Sequence, residues 1–216
     1  MKTDPGAHFD TVVTLDANNL PPAVEPNCGI SLSCDFPLDL TLAPSAYRPA
    51  AIANLFFWNN TIHDIQYLYG FTPTAGNFQV NTYGGGGLGN DDVRAEAQDG
   101  GGINNANFFT PPDGQRGRMQ MFLWNHSAPL KDGDLDSGVI VHEYGHAVLG
   151  EMAPVLWNSA EGGAYHEGFG NLLAFFATLE ERGNGRVLVR CDVVPEARAL
   201  ARMTEAIAAP GLGGGR

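Results

Sequence analysis

Two histidines four residues apart, in a run that is typical of a helix, constrain this chain more than any other feature. Residues 137–150 read Ser-Gly-Val-Ile-Val-His-Glu-Tyr-Gly-His-Ala-Val-Leu-Gly and place His142 and His146 at positions i and i+4. Such positions lie on one face of a helix, so both imidazoles can reach one ion. Two histidines and one carboxylate, with one coordination position left open, are typical of catalytic zinc sites. The run therefore predicts a helix that supplies two zinc ligands.

The residue after the first histidine, Glu143, is predicted to be the general base. It is expected beside the open coordination position, where a carboxylate can take a proton from the attacking water. The pattern H-E-x-x-H also occurs in many unrelated proteins. Its interpretation therefore depends on the rest of the chain.

A second helical pattern supplies the predicted third ligand. It covers residues 162–176, and Glu167 lies 21 residues after His146, which is enough for the chain to turn and return as an antiparallel helix. Glycine, tyrosine and phenylalanine surround Glu167, so we expect its charge to be partly buried and to need a partner or a metal. The alternative is a solvated surface carboxylate, as most glutamates are.

Two neighbours of Glu167 need separate interpretations. Asn171 follows four residues later on the same helical face, and its amide oxygen can accept the second ring N–H of a metal-bound histidine. A side chain that simply faces solvent is the alternative. His166 precedes Glu167, and adjacent helical residues point about 100° apart. His166 is therefore expected to line the cleft or to be exposed, and not to be a ligand.

Further motifs extend the pattern along most of the chain. They are an aromatic helical run at residues 53–64, the stretch Asn-Asn-Ala-Asn-Phe-Phe-Thr-Pro-Pro-Asp-Gly-Gln-Arg-Gly-Arg-Met-Gln-Met at residues 104–121, and Asp-Gly-Asp-Leu-Asp at residues 132–136. With the two helical motifs, they resemble the fungalysin family of secreted zinc endopeptidases, which are thermolysin-like. The matching blocks run in family order from about Val12 to about Phe176.

The resemblance implies an α+β fold of the thermolysin-like, two-lobed kind, present here mostly as the N-terminal lobe with the zinc-binding helices. It implies that His142, His146 and Glu167 bind one zinc ion and that Glu143 is the general base. Where the family pattern has aspartate, this chain has Asn171, so zinc affinity or ligand basicity is expected to differ.

The resemblance also implies a substrate and a location. Asn105, Ala106 and Asn107 resemble the edge strand along which the family lays the backbone of a polypeptide substrate. Pairing to an open strand edge binds many sequences and favours internal cleavage over removal of terminal residues. The family implies secretion, although no hydrophobic leader follows Met1.

A change in composition divides the chain into two predicted parts. Residues 1–181 are expected to form the catalytic region, and residues 182–216 an atypical tail that contains six arginines and no lysine. We interpret the tail as a shifted reading frame or an unrelated terminus. The rival interpretation of the whole chain is a catalytically silent zinc-binding fragment. In the family a second lobe closes the substrate cleft, and this sequence is expected to contain mostly the first lobe.

Charge and hydropathy exclude some classes of partner. The net charge of −12 leaves no basic stripe to neutralise phosphates, so a nucleic-acid partner is not expected. The sequence has no apolar stretch near 18 residues, so we expect no membrane span. The oligomeric state is not determined by the sequence, and a monomer is expected. Cys28 and Cys34 are close enough to close a small loop by a disulfide, which leaves Cys191 over.

Local patterns predict the elements around the zinc helices. A short strand is expected at residues 11–15, and an amphipathic helix at residues 47–69. Further strands are expected at residues 78–82, 92–98 and 119–124, with tight turns at the glycine runs 84–87 and 100–102. The predicted apolar face of the helix consists of Ile52, Leu55, Phe56, Ile62, Ile65, Tyr67 and Leu68.

Two polar clusters have competing interpretations. Asp132, Asp134 and Asp136 alternate like part of a calcium loop, but the full twelve-residue pattern with its distal glutamate is missing. Capping of the following helix is the preferred interpretation, and Ca²⁺ is kept as the alternative. His63 and Asp64 are expected to form a structural pair on the first helix, not a second metal site.

Overall fold

The computed structural model describes residues 34–181 and 187–189. Three helices are described: α1 at Arg48–Leu68, α2 at Ser137–Met152 and α3 at Ala160–Ala177. The strands are β1 at Arg94–Ile103, β2 at Ala106–Phe109, β3 at Arg118–Trp124, β4 at Lys131–Asp132, β5 at Leu179–Glu181 and β6 at Val187–Val189. The α+β class predicted from the sequence is confirmed, and the two-lobed organisation stays a prediction.

Helix α1 begins and ends within one residue of its predicted bounds. Pro49 lies in its first turn, where a missing backbone N–H costs no helical hydrogen bond. Part of the predicted apolar face is wrong: Leu68 is 83% exposed, and Tyr67 is also exposed. Both side chains lie in the last turn of the helix, outside the buried core cluster. The buried members of the face are Ile52, Leu55 and Ile62, with Phe56 and Ile65 packed against the same core.

The main sheet is mixed, with the strand order β1-β3-β2 and with β4 paired to β3. Strand β3 runs parallel to β1 and antiparallel to β2. Two of the predicted strands are confirmed, with β1 starting at Arg94 and β3 at Arg118. The register between β1 and β3 shifts after Glu96 and again after Asp99, so β1 is irregular in its second half.

The turn predicted at residues 100–102 is wrong, because these glycines lie inside β1. A Cβ atom on Gly102 would lie 2.7 Å from the ring of Phe122 on the neighbouring strand. Glycine is therefore needed here for close packing between strands. The turn at residues 84–87 is confirmed, and three of its glycines have positive φ.

The strand predicted at residues 78–82 is also wrong, since this segment is irregular. A hydrogen bond to a side chain holds this segment in place of the expected backbone pairing with another strand. The Gln79 N–H donates to Asp91 Oδ1 at 3.0 Å. Phe78 is buried, and its ring packs edge-on against Tyr144 of α2 at a centroid distance of 6.1 Å. The alternating apolar residues therefore anchor a loop, and Val80 points to solvent.

Helix α2 lies at the centre of the described fold and contacts α1, β2, β3 and α3. Its N-terminus is capped by Asp136, whose carboxylate accepts the N–H groups of Gly138 at 2.9 Å and Val139 at 3.2 Å. Asp132 accepts the N–H of Asp134, which in turn accepts the N–H of Gln98. These contacts support the capping interpretation of the aspartate cluster. The buried apolar residues of α2 are Val139, Ile140, Val141, Tyr144, Ala147 and Val148.

Several predictions fall on residues outside the described ranges. The strand at residues 11–15, Cys28 and Cys191 lie there, as does the tail apart from β6, which pairs antiparallel with β5. Cys34 takes part in a disulfide. Among the residues that the structure describes, none of the helices combines the length and apolar character needed to cross a bilayer.

Candidate metal centre

Helices α2 and α3 approach each other most closely where two glycines meet. A Cβ on Gly145 would stand 2.7 Å from the Cα of Gly170. A Cβ on Gly170 would in turn stand 2.9 Å from both the ring Nδ1 and the backbone oxygen of His142. Hydrogen atoms in place of both side chains allow the two backbones to touch. This contact brings the histidines of α2 beside Glu167 of α3.

The three predicted ligands converge at this contact. His142 Nε2 lies 3.3 Å from Glu167 Oε2, and His146 Nε2 lies 3.6 Å from Glu167 Oε1. The three ligand atoms all lie within 4.8 Å of one another, and no other such cluster of three occurs in the described ranges. Two imidazole nitrogens and a carboxylate oxygen are a donor set that suits zinc. The residues present therefore fit a single bound metal ion.

The side chain of Glu167 is 65% exposed, whereas those of His142 and His146 are 16% and 8% exposed. The expected partial burial of Glu167 is therefore wrong. Its aromatic neighbour Tyr165 is itself exposed and does not cover the carboxylate, and Gly168 has no side chain to do so. The centre thus has two imidazoles embedded in the fold and a carboxylate at the surface.

His142 has the partner that the sequence suggested. Its Nδ1 lies 3.1 Å from Asn171 Oδ1. An amide oxygen only accepts hydrogen bonds, so this contact fixes the proton on Nδ1 and leaves the Nε2 lone pair facing Glu167. The alternative of a solvent-facing Asn171 is thereby disfavoured.

Glu143 is buried beside the cluster on α2. Burial, together with a smaller effect from the nearby charge of Glu167, raises its pKa to about 8. Its Oε2 atom has no hydrogen-bond partner among the described residues. A buried carboxyl group with a raised pKa and an unused oxygen is suited to accept and return a proton near neutral pH.

His146 has a different environment from His142. Burial, together with smaller effects from the neighbouring His142 and His166, lowers its pKa to about 4. The imidazole is therefore neutral at pH 7, as a metal ligand must be. Its Nδ1 atom is buried and has no hydrogen-bond partner in the part of the chain that the structure describes.

His166 does not line a cleft and is not exposed, so that prediction is wrong: it is fully buried. The indole ring of Trp157 stacks on it, with ring centroids 3.6 Å apart and planes inclined by 25°. Trp157 belongs to a short 3-10 helix, Pro154–Asn158, between α2 and α3. Sequence reasoning missed this tryptophan, whose signal was a lone aromatic residue between the two ligand motifs.

The predicted substrate-binding residues lie at an edge of the sheet. Ala106 and Asn107 open β2, and Asn105 immediately precedes it. Among the described strands, β2 pairs only with β3. Just past the end of β2, the Thr110 hydroxyl donates to the backbone oxygen of His146 at 3.3 Å. The strand edge is therefore tied directly to the helix that carries the histidines.

His63 forms the structural pair expected of it. Its Nδ1 lies 3.0 Å from Asp64 Oδ1, and its Nε2 lies 3.2 Å from Gln79 Oε1. Asn77 Nδ2 also approaches Nε2, at 3.2 Å. The ring is buried and links α1 to the irregular segment after it.

The H-E-x-x-H helix and this donor set are typical of one class of metallopeptidases. The chain belongs to the fungalysin metallopeptidase family (M36), whose family model matches residues 8–190. Such a family requires a metal, and the cluster of His142, His146 and Glu167 lies within the matched region.

Several similar proteins are named extracellular metalloproteinases. Extracellular metalloproteinase 9 of Uncinocarpus reesii (strain UAMH 1704) is 46% identical over 150 residues, which cover 67% of this chain and 24% of that protein. Extracellular metalloproteinase 2 of Trichophyton tonsurans is 47% identical over 142 residues, 63% of this chain and 22% of that protein. Extracellular metalloproteinase mep of Aspergillus fumigatus (strain CBS 144.89 / FGSC A1163 / CEA10) is 46% identical over 150 residues. The chain spans about a quarter of the length of these relatives.

Proposed function

We propose that this chain is the zinc-binding part of a metalloendopeptidase that hydrolyses peptide bonds in polypeptides. The observation that carries the proposal is the convergence of two imidazole nitrogens and a carboxylate beside a buried glutamate. Membership of a metallopeptidase family and the names of the relatives support it. Those relatives are called extracellular, which supports secretion of this protein as well.

His142, His146 and Glu167 would hold the zinc ion. Zinc, when bound in such a site, polarises the scissile carbonyl and makes water a stronger nucleophile. The hydrogen bond from His142 to Asn171 fixes the ring of His142 in the tautomer that can bind metal. The low pKa of His146 keeps its ring free of a competing proton.

Glu143 takes the proton of the attacking water and later delivers it to the departing amide nitrogen. A pKa raised to about 8 makes Glu143 a stronger base than an exposed carboxylate and keeps its conjugate acid within reach of neutral pH, which suits proton capture followed by transfer. Burial removes bulk water, which would otherwise exchange that proton.

The edge of β2 that has no partner among the described strands would bind the substrate backbone as an additional strand. Asn105, Ala106 and Asn107 lie at the start of this edge, and Thr110 connects its other end to His146. Backbone pairing holds an extended polypeptide without selecting one sequence. It therefore supports cleavage within chains and not at their ends.

The proposal is tested by hydrolysis of casein by the purified chain with zinc, alongside Glu143→Gln. We expect the variant to bind one zinc per chain and to lose at least about 10²–10⁴-fold in rate, the usual contribution of a general base. Glu161→Gln, at an exposed carboxylate on α3, is the control and should cleave normally. If the parent and both variants all bind zinc and none of them hydrolyses casein, the silent fragment is favoured. Cleavage by Glu143→Gln at the parent rate would refute the role of Glu143.

A further inference from the structure

We propose that Trp157 and His166 form a ring stack that orients the metal ligand His146, in place of the outer hydrogen bond that orients His142. The inference rests on the proposed function, because it assumes that His146 binds metal. It adds two positioning residues that touch neither the substrate nor the ion.

The two histidines of α2 differ in how their second ring nitrogen is used. A metal-bound histidine usually donates that N–H to an oxygen atom, which fixes both the tautomer and the angle of the ring. His142 has Asn171 for this purpose at 3.1 Å. The corresponding nitrogen of His146 is buried and, among the described residues, has no hydrogen-bond partner. Another feature must therefore hold the ring of His146.

Ring packing is the feature that the structure offers. The rings of His146 and His166 are nearly parallel, at 29°, with centroids 5.7 Å apart. Trp157 covers His166 at 3.6 Å and also lies 5.9 Å from the ring of His146. On another side of His146, the ring of His142 meets it edge-on at 4.8 Å and 86°. Aromatic neighbours on these sides leave the imidazole of His146 little freedom to rotate.

His166 itself points to the same conclusion. Its side chain is fully buried, and neither Nδ1 nor Nε2 has a hydrogen-bond partner within the described ranges. Burying unpaired polar atoms is unfavourable, so such a residue calls for an explanation. The contacts of His166 are made by the faces of its ring and not by its nitrogens. The contribution of His166 therefore depends on its flat ring and not on its nitrogen atoms.

The segment that carries Trp157 is held tightly against α3. A Cβ on Gly162, in the first turn of α3, would lie 1.7 Å from the backbone oxygen of Leu156. Only glycine permits this approach, which sets the position of Trp157 over His166. The stack is thus built on two packed backbone segments and not on a free loop.

The stack makes a prediction that separates ring shape from hydrogen bonding. In the full chain, His166→Phe keeps the ring and removes both nitrogens, whereas His166→Ala removes the ring. We expect His166→Ala to weaken zinc binding by about 10–100-fold, the range for lost supporting partners of metal ligands. His166→Phe should bind zinc like the parent. Competition with a chromophoric chelator measures the affinity, and the visible absorption of the Co²⁺-substituted protein reports the ligand geometry.

Trp157 provides a second pair of variants should His166→Ala fail to fold, because its ring is half exposed and less critical for the core. Trp157→Phe should preserve both the affinity and the Co²⁺ spectrum, and Trp157→Ala should change both. Unfolding of the metal-free proteins serves as the control for a general loss of structure.

Each outcome decides the inference. Equal losses in His166→Phe and His166→Ala would overturn it, because the nitrogens would then be the groups in use. Unchanged affinity and spectrum in both alanine variants would overturn it as well, while zinc binding by the parent would leave the proposed function intact. Failure of the parent chain to bind zinc would overturn the proposed function and the inference together.

Discussion

Each residue of the candidate centre has its properties set by one or two neighbours. Asn171 sets the tautomer of His142, burial keeps His146 neutral, and burial with the charge of Glu167 raises the pKa of Glu143. These effects arise from residues that are far apart along the chain but share the contact between α2 and α3. Substitutions of the neighbours should therefore change metal binding without touching a ligand.

Asn171→Ala should lower zinc affinity about 10–100-fold, because the ring of His142 loses the acceptor that orients it. Asn171→Asp should bind zinc at least as tightly as the parent, since a carboxylate is the stronger acceptor. Zinc titration against a competing chelator measures both. Equal affinity in Asn171→Ala and the parent would show that the 3.1 Å contact does not support the ligand.

His166→Phe should also stabilise the metal-free chain, by about 1–2 kcal/mol, because it removes buried polar atoms that have no partner among the described residues. His63→Phe is the matched control, since that buried histidine does have partners in Asp64 and Gln79. The free energy of unfolding of His63→Phe should therefore be lower than that of the parent. Urea unfolding of both variants checks the pair, and destabilisation of similar size in both would contradict the assignment.

At the scale of elements, the crossing of α2 and α3 depends on the two glycines that meet there. Gly145→Ala would place a methyl group 2.7 Å from the Cα of Gly170, which neither backbone can accommodate without moving. We expect a loss of about 1–3 kcal/mol in stability from overpacking. We also expect weaker zinc binding, because the histidines and Glu167 are carried on opposite sides of this contact.

Gly163→Ala is the control for the glycine substitution. It lies in the same helix α3, but a Cβ there would have no heavy atom of another residue within 4 Å. Alanine should therefore stabilise the helix by about 0.5–1 kcal/mol and leave zinc affinity unchanged. Thermal unfolding and zinc titration of the two variants side by side would detect the difference. Equal behaviour would show that the crossing tolerates a side chain.

Patterns within a single element were enough to predict much of this arrangement. The spacing of His142 and His146 fixes their common face whatever surrounds the helix, and Glu167 with Asn171 repeats that spacing on α3. Apolar periodicity likewise predicted α1 to within a residue at each end. The resemblance to the family, and not local geometry, predicted the strand that begins at Ala106.

Properties that depend on packing between elements could not be read from the sequence. The glycines at 100–102 suggested a turn, but the ring of Phe122 requires them in a strand. His166 was expected to face the cleft, because nothing local shows that Trp157 covers it. The exposure of Glu167 depends on where its neighbours point, and apolar residue types alone suggested burial. Each error lies at a contact between distant segments.

At the scale of the whole molecule, three carboxyl groups form a cluster at the C-terminal end of α2. They belong to Glu151 of the helix and to Asp91 and Asp113 of two loops. Burial, together with smaller effects from the charges of Asp113 and Asp91, raises the pKa of Glu151 to about 7. Burial also raises the pKa of Asp91 to about 6, although its carboxylate accepts the N–H groups of Gln79 and Gly114. Protonation of Glu151 and Asp91 therefore favours the folded state over the unfolded state.

The sign of the resulting pH dependence follows from proton uptake. Between about pH 4.5 and 7 the folded chain holds a proton on Glu151 that the unfolded chain releases, so stability falls as pH rises. Glu151→Gln removes the contribution of Glu151 to this dependence, and the difference in stability from the parent should change by about 1–2 kcal/mol across that window. Solvent screening keeps this change in stability below the value that the full pKa shift of Glu151 would give.

Urea unfolding at several pH values checks the carboxyl cluster. Glu161→Gln is again the control, because its carboxylate is exposed on α3 and should leave the pH profile parallel to that of the parent. A Glu151→Gln profile parallel to that of the parent would show that Glu151 is not a source of the dependence.

The uneven exposure of the three ligands has a consequence for how quickly the ion would exchange. Two imidazoles anchored in the fold cannot leave without disturbing α2, whereas the carboxylate of Glu167 lies at the surface and can detach by a rotation of its own side chain. Detachment of that one arm would open the site to a scavenging chelator while the rest of the molecule stays folded. Loss and capture of metal would then run through a single side chain, and the lifetime of the loaded protein would depend on Glu167 more than on global stability.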